Sequence, residues 1–186
     1  MVFGVVGSAG AAAFTYTNDT DMNIRNCRYT NSDIVISGAT GTITDLNLNI
    51  EIDHTYLADL DIHLDHWFDG QIWSWVMSDD GSHWNNMNVT FDDEVATSIV
   101  GYDPGANDLT GTFRPQSSLS IYDGFSLNGT WRLSVYDDAY GDTGVLRSWS
   151  LLGEDSNIDA VPEPATMLLF GLGLLGLAGV SRKKIK

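Results

Sequence analysis

Residues 43–53, I-T-D-L-N-L-N-I-E-I-D, decide the fold class of this chain. Leucine and isoleucine occupy positions 46, 48, 50 and 52, while asparagine and acidic residues occupy the positions between them. Because successive side chains of a β-strand point to opposite faces, this alternation predicts a half-buried antiparallel strand. Residues 60–65 repeat the pattern, since leucine and isoleucine alternate there with aspartate and histidine.

Further short apolar segments predict an all-β domain. Strands are expected at residues 72–77, 88–91, 119–122, 131–135 and 145–152. In the first of these, Trp73, Trp75 and Met77 are expected to share one face. Asp-Gly and Asn-Gly turns separate the segments, and no amphipathic helix is predicted before residue 161. We therefore predict a β-sandwich of jelly-roll type with about eight antiparallel strands, followed by a C-terminal hydrophobic helix.

The composition is strongly acidic, and this limits the partners. The chain has 186 residues, of which 25 are acidic and nine are basic, and 21 of the acidic residues are aspartate. Residues 14–160 contain 24 acidic residues and five arginines, a formal charge of −19. A surface of this charge repels nucleic acid and anionic membranes, so no nucleic-acid partner is expected.

The last 26 residues have the order of a sorting signal. The motif Pro162-Glu163-Pro164 precedes sixteen uncharged residues, 165–180, and a basic end that contains all three lysines. As a helix, the uncharged run would span about 24 Å, somewhat less than the roughly 30 Å apolar core of a bilayer. The basic residues would then lie at the cytoplasmic face. The two prolines would keep the motif extended and accessible to a processing enzyme.

This tail resembles the PEP-CTERM sorting signal of Gram-negative bacteria over its whole length. The resemblance implies an exosortase-type processing enzyme as a partner. It also implies that the C-terminal helix anchors the chain transiently in the inner membrane before delivery to the cell surface or extracellular matrix. The alternative is an ordinary C-terminal anchor.

The N-terminus is expected to belong to an export signal. Residues 1–14 are apolar and contain an A-x-A cleavage pattern at 11–13, but they lack the basic start of a secretory signal. We therefore expect the true start codon to lie upstream. The single cysteine, Cys27, cannot form an internal disulfide and is expected to be a half-buried side chain. Intermolecular pairing or lipidation of Cys27 is the alternative.

Several short motifs occur in the order found in one domain family. They are residues 52–60 (I-D-H-T-Y-L-A-D-L), 91–94 (F-D-D-E), 113–115 with 119–120 (F-R-P and L-S), 129–133 (G-T-W-R-L) and 137–151, where D-D, G-D-T-G and S-W-S-L follow one another. Together they resemble the P domain, also called the P/Homo B domain, over about residues 33–153. Residues 65–70 depart from the Ser-Pro-x-Gly that is usual after the second strand.

These two resemblances divide the chain into five segments. We expect a truncated signal peptide at 1–13, an N-terminal segment at 14–32 and the β-sandwich at 33–153. A polar linker at 154–160 and the sorting and transmembrane signal at 161–186 complete the chain.

The P-domain resemblance implies a jelly-roll sandwich without catalytic residues of its own. In kexin- and furin-type and bacterial subtilisin-like proteases, this domain follows the catalytic domain, stabilises or modulates it, and often binds calcium. Only about 30 residues precede it here, and none of the four histidines lies in a protease motif. Gly81-Ser82-His83 also lacks the G-x-S-x-G of a nucleophile elbow. We therefore expect no enzyme activity, although a serine-endopeptidase label could be inherited from the family.

Clustered aspartates predict calcium binding. The family pattern brings one set of loop residues together, namely Asp59, Asp137, Asp138 and Asp142. A second acidic cluster consists of Asp79, Asp80, Asp92 and Asp93. Calcium takes six to eight hard oxygen ligands, and a divalent cation would relieve the repulsion within so acidic a domain. The alternative is that these residues are turn formers.

The histidines are expected to be structural. His63 and His66 are three positions apart in a predicted strand, so they face opposite sides and do not suit a zinc site. His54 lies on the apolar face of its strand and is expected to be hydrogen-bonded in the interior.

Tryptophans suggest a second kind of site. Four of them occur within eighteen residues, namely Trp67, Trp73, Trp75 and Trp84, whereas Trp131 and Trp149 occupy core positions of the family. If one face of strand 72–77 is buried, Trp73 and Trp75 are left on the other face, where they could stack on sugar rings or contact a partner protein. The alternative is that they enlarge the core.

Two functions are compatible with these features. The first is a non-catalytic, calcium-stabilised exported module with a structural, adhesive or binding role in the envelope or matrix, where matrix polysaccharide is one partner. The second is a detached accessory domain that docks on a subtilisin-like protease encoded elsewhere.

Overall fold

The computed structural model describes residues 11–68, 70–78, 84–103, 105 and 108–156, which belong to one compact unit. This part of the chain contains ten strands and two short 3-10 helices. The strands are β1 (Ala12–Asn18), β2 (Met22–Ile24), β3 (Arg28–Ile36), β4 (Ile43–His54), β5 (Leu60–Trp67), β6 (Gln71–Ser78), β7 (Met87–Phe91), β8 (Leu109–Phe113), β9 (Gly129–Asp137) and β10 (Gly144–Asp155). The 3-10 helices are η1 (Leu57–Asp59) and η2 (Leu119–Tyr122).

The strands form two sheets. The larger sheet has the order β1-β10-β4-β7-β8, and β2 also pairs with β10. The smaller sheet has the order β3-β9-β5-β6. All pairs are antiparallel except β7 and β8, which are parallel. The predicted all-β, two-sheet architecture is thus confirmed, while the expectation of antiparallel pairing throughout is wrong for β7 and β8.

The hydrophobic core lies between the inner faces of the two sheets. Leu48, Ile50 and Ile52 of β4 are completely buried, as the alternation in residues 43–53 predicts. Burial of each such side chain contributes roughly 1.5–3 kcal/mol. Trp131 and Trp149 are also completely buried, and the Trp149 indole N–H donates to Ser32 Oγ at 2.9 Å. That bond connects β10 of the larger sheet to β3 of the smaller sheet.

Four strands were not predicted from the sequence, and one predicted strand is wrong. The missed strands are β1, β2, β3 and β8. Residues 119–122 form η2 rather than a strand, because local hydrogen bonds cap its start. The Asp93 carboxylate accepts from the backbone N–H groups of Leu119 and Ser120 at 3.1 and 2.8 Å. The Tyr122 hydroxyl then donates to the Leu64 carbonyl at 2.5 Å, which fixes η2 against β5.

A bulge in β6 corrects the predicted position of Met77. Trp75 pairs with His63, but the next pair along the strands is Met77 with Ile62, so Val76 is the extra residue. A bulge reverses the alternation of side chains beyond it. Met77 is therefore completely buried, together with Val76, and does not share the face of Trp73 and Trp75.

The sandwich begins before residue 33. Strand β1 starts at Ala12 and pairs with β10 over its whole length, so it includes residues assigned above to the signal peptide and the N-terminal segment. The predicted C-terminal helix and the Pro162-Glu163-Pro164 motif lie outside the described residues. Within the described ranges, no helix is long and apolar enough to cross a membrane.

Substitution of Gly129, at the start of β9, tests the packing of β9 against β5. Its φ is +124°, and a Cβ atom there would overlap the Trp67 carbonyl oxygen and lie 3.1 Å from His66 Nε2. We expect Gly129→Ala to lower the free energy of unfolding by about 2 kcal/mol or more, from strain plus overlap. Gly124→Ala is the matched control, because Gly124 has a φ of +81° but no atom near its Cβ position. Equal destabilisation of the two variants in urea titrations would contradict the packing of β9 against β5.

Candidate functional site

Four predicted aspartates meet at one end of the smaller sheet. Asp59 ends η1, Asp137 ends β9, and Asp138 and Asp142 belong to the loop between β9 and β10. The Asp138 N–H donates to the Asp59 carbonyl at 2.9 Å, which joins the two loops. We call Asp59, Asp137, Asp138 and Asp142 the acidic end.

The acidic end concentrates negative charge. Burial raises the pKa of Asp59, and the neighbouring charges of Asp142, Asp137 and Asp138 raise it further, against a smaller lowering by His54. The carboxylates are therefore close enough to oppose one another's ionisation. In their present positions they do not surround one point, since no group of three or more His, Cys, Asp or Glu in the described ranges could hold a metal ion.

Residues that sequence reasoning did not select support these loops. Thr55 Oγ1 donates to Asp142 Oδ1 at 2.7 Å. The Asn26 amide, oriented by its hydrogen-bond partners, donates to Asp137 Oδ2 at 3.2 Å and to the Asp142 carbonyl. Cys27 is half-buried and free, as predicted, and its N–H donates to the Asp137 carbonyl at 2.6 Å. The loops are thus held by neutral donors from the residue that follows β4 and from the turn before β3.

His54 and Asp137 lie beneath the acidic end. Both side chains are completely buried, and His54 Nε2 is 3.4 Å from Asp137 Oδ2. This contact is longer than a well-formed hydrogen bond, and His54 Nε2 has no other partner. His54 Nδ1 is 2.9 Å from the Tyr56 carbonyl and accepts from the Tyr56 N–H at 3.1 Å. His54 is the interior, hydrogen-bonded histidine that its position on the apolar face predicts.

The second predicted acidic cluster, Asp79, Asp80, Asp92 and Asp93, lies only partly within the described residues. Asp79 and Asp80 lie outside the described residues, and Asp93 caps η2. Asp92 and Asp93 instead have Asp45 as a neighbour: burial and then the charges of Asp92, Glu154 and Asp93 raise the pKa of Asp45. Burial, Asp45 and Asp93 likewise raise the pKa of Asp123. Asp45 and Asp123 could not be selected from the sequence, because they are distant from Asp92 along the chain.

The outer face of the smaller sheet carries a row of aromatic rings. Tyr29 on β3 contacts Tyr136 on β9, with ring centroids 4.7 Å apart. His63 on β5 lies 5.9 Å from Tyr29 and 5.4 Å from Trp75 on β6, measured between ring centroids. Trp75 meets Trp73 edge-on at 5.7 Å. We call Tyr29, Tyr136, His63, Trp75 and Trp73 the aromatic face.

Asp65 organises the polar groups within the aromatic face. Although it points outward, Asp65 is only 4% exposed. Its carboxylate accepts from the Gln71 amide at 2.9 Å and from Ser134 Oγ at 3.4 Å, and it is 3.3 Å from His63 Nε2. Burial lowers the pKa of His63 more than the charges of Asp65 and Asp61 raise it, so the site favours the neutral form of the ring.

The four selected tryptophans do not form one group. Trp73 is half exposed and Trp75 is half-buried, and both belong to the aromatic face. Trp67 lies further along β5, where the Arg132 guanidinium is 5.2 Å from its ring centroid. Trp84 is completely buried and packs against Tyr102, so it is not available to a ligand. The prediction that Trp84 could bind a ligand is thus not supported by its position.

The described histidines do not form a protease relay. His66 stacks on Trp131 at 3.9 Å and lies 3.0 Å from the Asn128 carbonyl, on the opposite side of β5 from His63. Ser134 contacts Asp65 rather than His63. Of His54, His63 and His66, none bonds to a serine hydroxyl or to the Cys27 thiol. A serine protease requires a nucleophile that is hydrogen-bonded to a histidine base, and a carboxylate that is hydrogen-bonded to the same histidine.

Residues 96–152 match the proprotein convertase P-domain family, and residues 160–183 match the PEP-CTERM protein-sorting motif. The chain thus contains a segment that matches the P-domain family, followed by a segment that matches the PEP-CTERM sorting motif. The matched part of the P domain contains β8, η2, β9 and most of β10. The earlier strands join it through the pairs β4 with β10 and β5 with β9. The P domain is an accessory, non-catalytic domain.

Two solved structures resemble this chain in fold. One is the complex of an Aeromonas sobria serine protease with its chaperone, at 21% identity and a TM-score of 0.50. The other is the serine protease of Aeromonas sobria, at 20% identity and a TM-score of 0.51. Each comparison covers 78% of this chain but only 27% of the solved chain. At this identity the likeness shows the fold alone.

The acidic end makes the stability of the β-sandwich depend on pH. Because the pKa of Asp59 is raised in the folded state, the folded state holds that proton more tightly than the unfolded state. The resulting stabilisation is present below the unfolded value, near 4, and is lost as the pH rises through the folded pKa.

Asp59→Asn removes the ionised carboxylate. In chelator at pH 7, we expect it to raise the melting temperature by about 1–3 °C, a small effect because Asp59 is only half-buried and solvent screens its charge. The difference from wild type should close as the pH falls to about 4. Asp19→Asn, in an exposed turn, is the control and should leave the melting temperature unchanged. A lower melting temperature for Asp59→Asn at pH 7 would contradict this account.

Proposed function

We propose that this chain is a non-catalytic exported module, a β-sandwich of jelly-roll type with a structural, adhesive or binding role in the envelope or matrix of a Gram-negative bacterium. The observation that carries the proposal is the order of the two matches. An accessory domain at residues 96–152 is followed, after a short polar segment, by a sorting motif at 160–183.

The distribution of charge along the chain supports export followed by sorting at the inner membrane. All three lysines lie after residue 180, beyond an uncharged run, whereas residues 14–160 carry a formal charge of −19. A basic end after an apolar segment favours retention at the cytoplasmic face of the inner membrane. An exosortase-type enzyme that cleaves near Pro162-Glu163-Pro164 would then free an acidic domain, which anionic surfaces do not hold back.

The sorting motif can be tested by substitution. Replacing Pro162, Glu163 and Pro164 together by alanine is expected to leave the full-length chain in the inner-membrane fraction of a host with an exosortase. The measurement is fractionation followed by immunoblotting, with Glu154→Ala as the control because Glu154 is an exposed glutamate before the motif. Unchanged processing of the triple variant would exclude this route.

Calcium at the acidic end is a second part of the proposal. The donors fit a hard cation, since Asp59, Asp137, Asp138 and Asp142 supply carboxylate oxygens and the joined loops add backbone carbonyls. A bound cation would compensate the charges that raise the pKa of Asp59. Small side-chain rotations are needed, because the carboxylates do not surround one point as they stand.

Calorimetric titration with calcium tests this site. We expect saturable heat and, at about 100 times the dissociation constant, a gain of about 2.7 kcal/mol in the free energy of unfolding. Asp59→Asn should weaken binding at least tenfold, whereas Asp19→Asn should not. Absence of heat, or equal binding by both variants, would remove calcium from the proposal without affecting export.

A detached accessory domain for a subtilisin-like protease is the second candidate function. It is favoured by the likeness to a quarter of a serine protease chain. The neighbouring genes separate the two candidates: an orphan subtilisin gene favours protease docking, and polysaccharide-synthesis genes favour the matrix role.

A further inference from the structure

Trp73 forms a ridge between two open grooves. Its side chain is 50% exposed, which is unusual for tryptophan in a sheet of this size. On one side lies a groove of about 250 Å³, and on the other a groove of about 450 Å³. Trp75 meets Trp73 edge-on at 87° and also lines both grooves. The exposed ring of Trp73 is thus packed on one side against Trp75.

The smaller groove has polar groups that are already positioned. Tyr29, His63, Asp65 and Gln71 line it beside the two tryptophans. Asp65 holds the Gln71 amide at 2.9 Å and lies 3.3 Å from His63 Nε2, so these groups are ordered before any ligand arrives. Preorganisation of this kind lowers the entropic cost of binding.

The larger groove has a wall of hydroxyl groups. Ser117, Ser118, Ser120 and Ile121 line it opposite Trp73. The wall is fixed, because the N–H groups of Gln116 and Ser117 donate to the carbonyls of Val76 and Trp75 at 3.0 and 2.9 Å. Ser118 also donates to Asp93, which caps η2. Both grooves therefore offer fixed hydrogen-bonding groups at the edges of one exposed ring.

The charged residues at the two grooves favour a neutral ligand over an anionic one. None of the described residues that line them is a lysine or arginine, and Asp65 is the one acidic residue. The nearby Arg132 is bound by Asp33 through two hydrogen bonds of 2.6 and 2.8 Å. Among the described residues that line the grooves, an anionic ligand would thus meet the Asp65 carboxylate and no lysine or arginine. A neutral ligand with an apolar face and a hydroxyl rim fits better.

We propose that Trp73 and the two grooves beside it bind a neutral polysaccharide built from pyranose rings. This inference deepens the binding role proposed above and rests on it. The apolar C–H face of one sugar would stack on Trp73. Its hydroxyls, and those of the neighbouring sugars, would bond to Asp65 and Gln71 on one side and to the serine wall on the other. The two grooves would accommodate consecutive units of one chain.

Calorimetry with defined oligosaccharides tests the site. The full-length chain is kept in a sugar-free detergent and titrated with cellohexaose, laminarihexaose and mannohexaose, and in parallel with an anionic alginate hexamer. We expect saturable binding of at least one neutral hexamer and none of the alginate. Trp73→Ala should weaken that binding about tenfold, and Trp73→Phe should retain most of it.

Control variants test whether binding of the hexamers depends on stacking against the Trp73 ring. Gln71→Ala, at an exposed position, should weaken binding a few-fold, which gives a test that does not depend on Trp73→Ala folding. Because this variant also removes a hydrogen bond from the buried Asp65 carboxylate, binding is compared at a temperature where circular dichroism shows both proteins folded. Phe125→Ala removes a ring of similar exposure, 43%, outside both grooves and should have no effect. Trp73→Leu keeps an apolar side chain without a ring, and wild-type affinity for the hexamers in that variant would show that binding does not use stacking on the Trp73 ring and would overturn the proposal.

Failure of this inference is distinguishable from failure of the proposed function. Absence of binding to every neutral hexamer, tighter binding of alginate, or undiminished binding by Trp73→Ala would each overturn the polysaccharide site. Export is measured separately, by processing of the Trp73→Ala chain, which should match wild type because the sorting motif is unchanged.

Discussion

The pairing of β10 with both β1 and β4 holds the larger sheet together. Strand β10 bonds to β1 and β2 along one edge and to β4 along the other, so the first and last strands of the domain are adjacent. Gly153 permits the close approach: its φ is +154°, and a Cβ there would overlap the Asp45 carbonyl oxygen. Because β4 also carries the most regular apolar face, this pairing aligns the core against which the smaller sheet packs.

The smaller sheet supports two different surfaces, the aromatic face and the acidic end. Its central strands β9 and β5 bury leucine, isoleucine and valine on the inner side and contribute Tyr136 and His63 to the aromatic face on the outer side. At their ends, Asp137 and Asp59 begin the loops of the acidic end. A packed core on one side of a sheet leaves the opposite face and the loops free to differ without loss of stability. Both proposed binding regions therefore depend on the same four strands.

Regular alternation of apolar and polar residues along the sequence was the reliable predictor of strands. It identified β4, β5, β6, β7, β9 and β10, because each buries apolar residues on one face. Strand β3 was missed, since its buried residues include Thr30 and Ser32, which interrupt the apolar pattern. Segment 119–122 resembles a strand in composition, but Asp93, distant along the chain, caps it as a 3-10 helix. The bulge at Val76 likewise depends on the register with β5.

The sequence by itself determined the all-β class, the family and the sorting motif, because each depends on local order: a two-residue period, short motifs and a charge pattern. It also selected the four aspartates of the acidic end, which the structure brings together. Only the tertiary structure decided which tryptophans are exposed, since Trp84 is buried and Trp73 is not. It alone placed Asp65, Gln71 and the serine wall beside Trp73. The physical reason is that exposure and contact arise from pairing between distant strands, which no local pattern specifies.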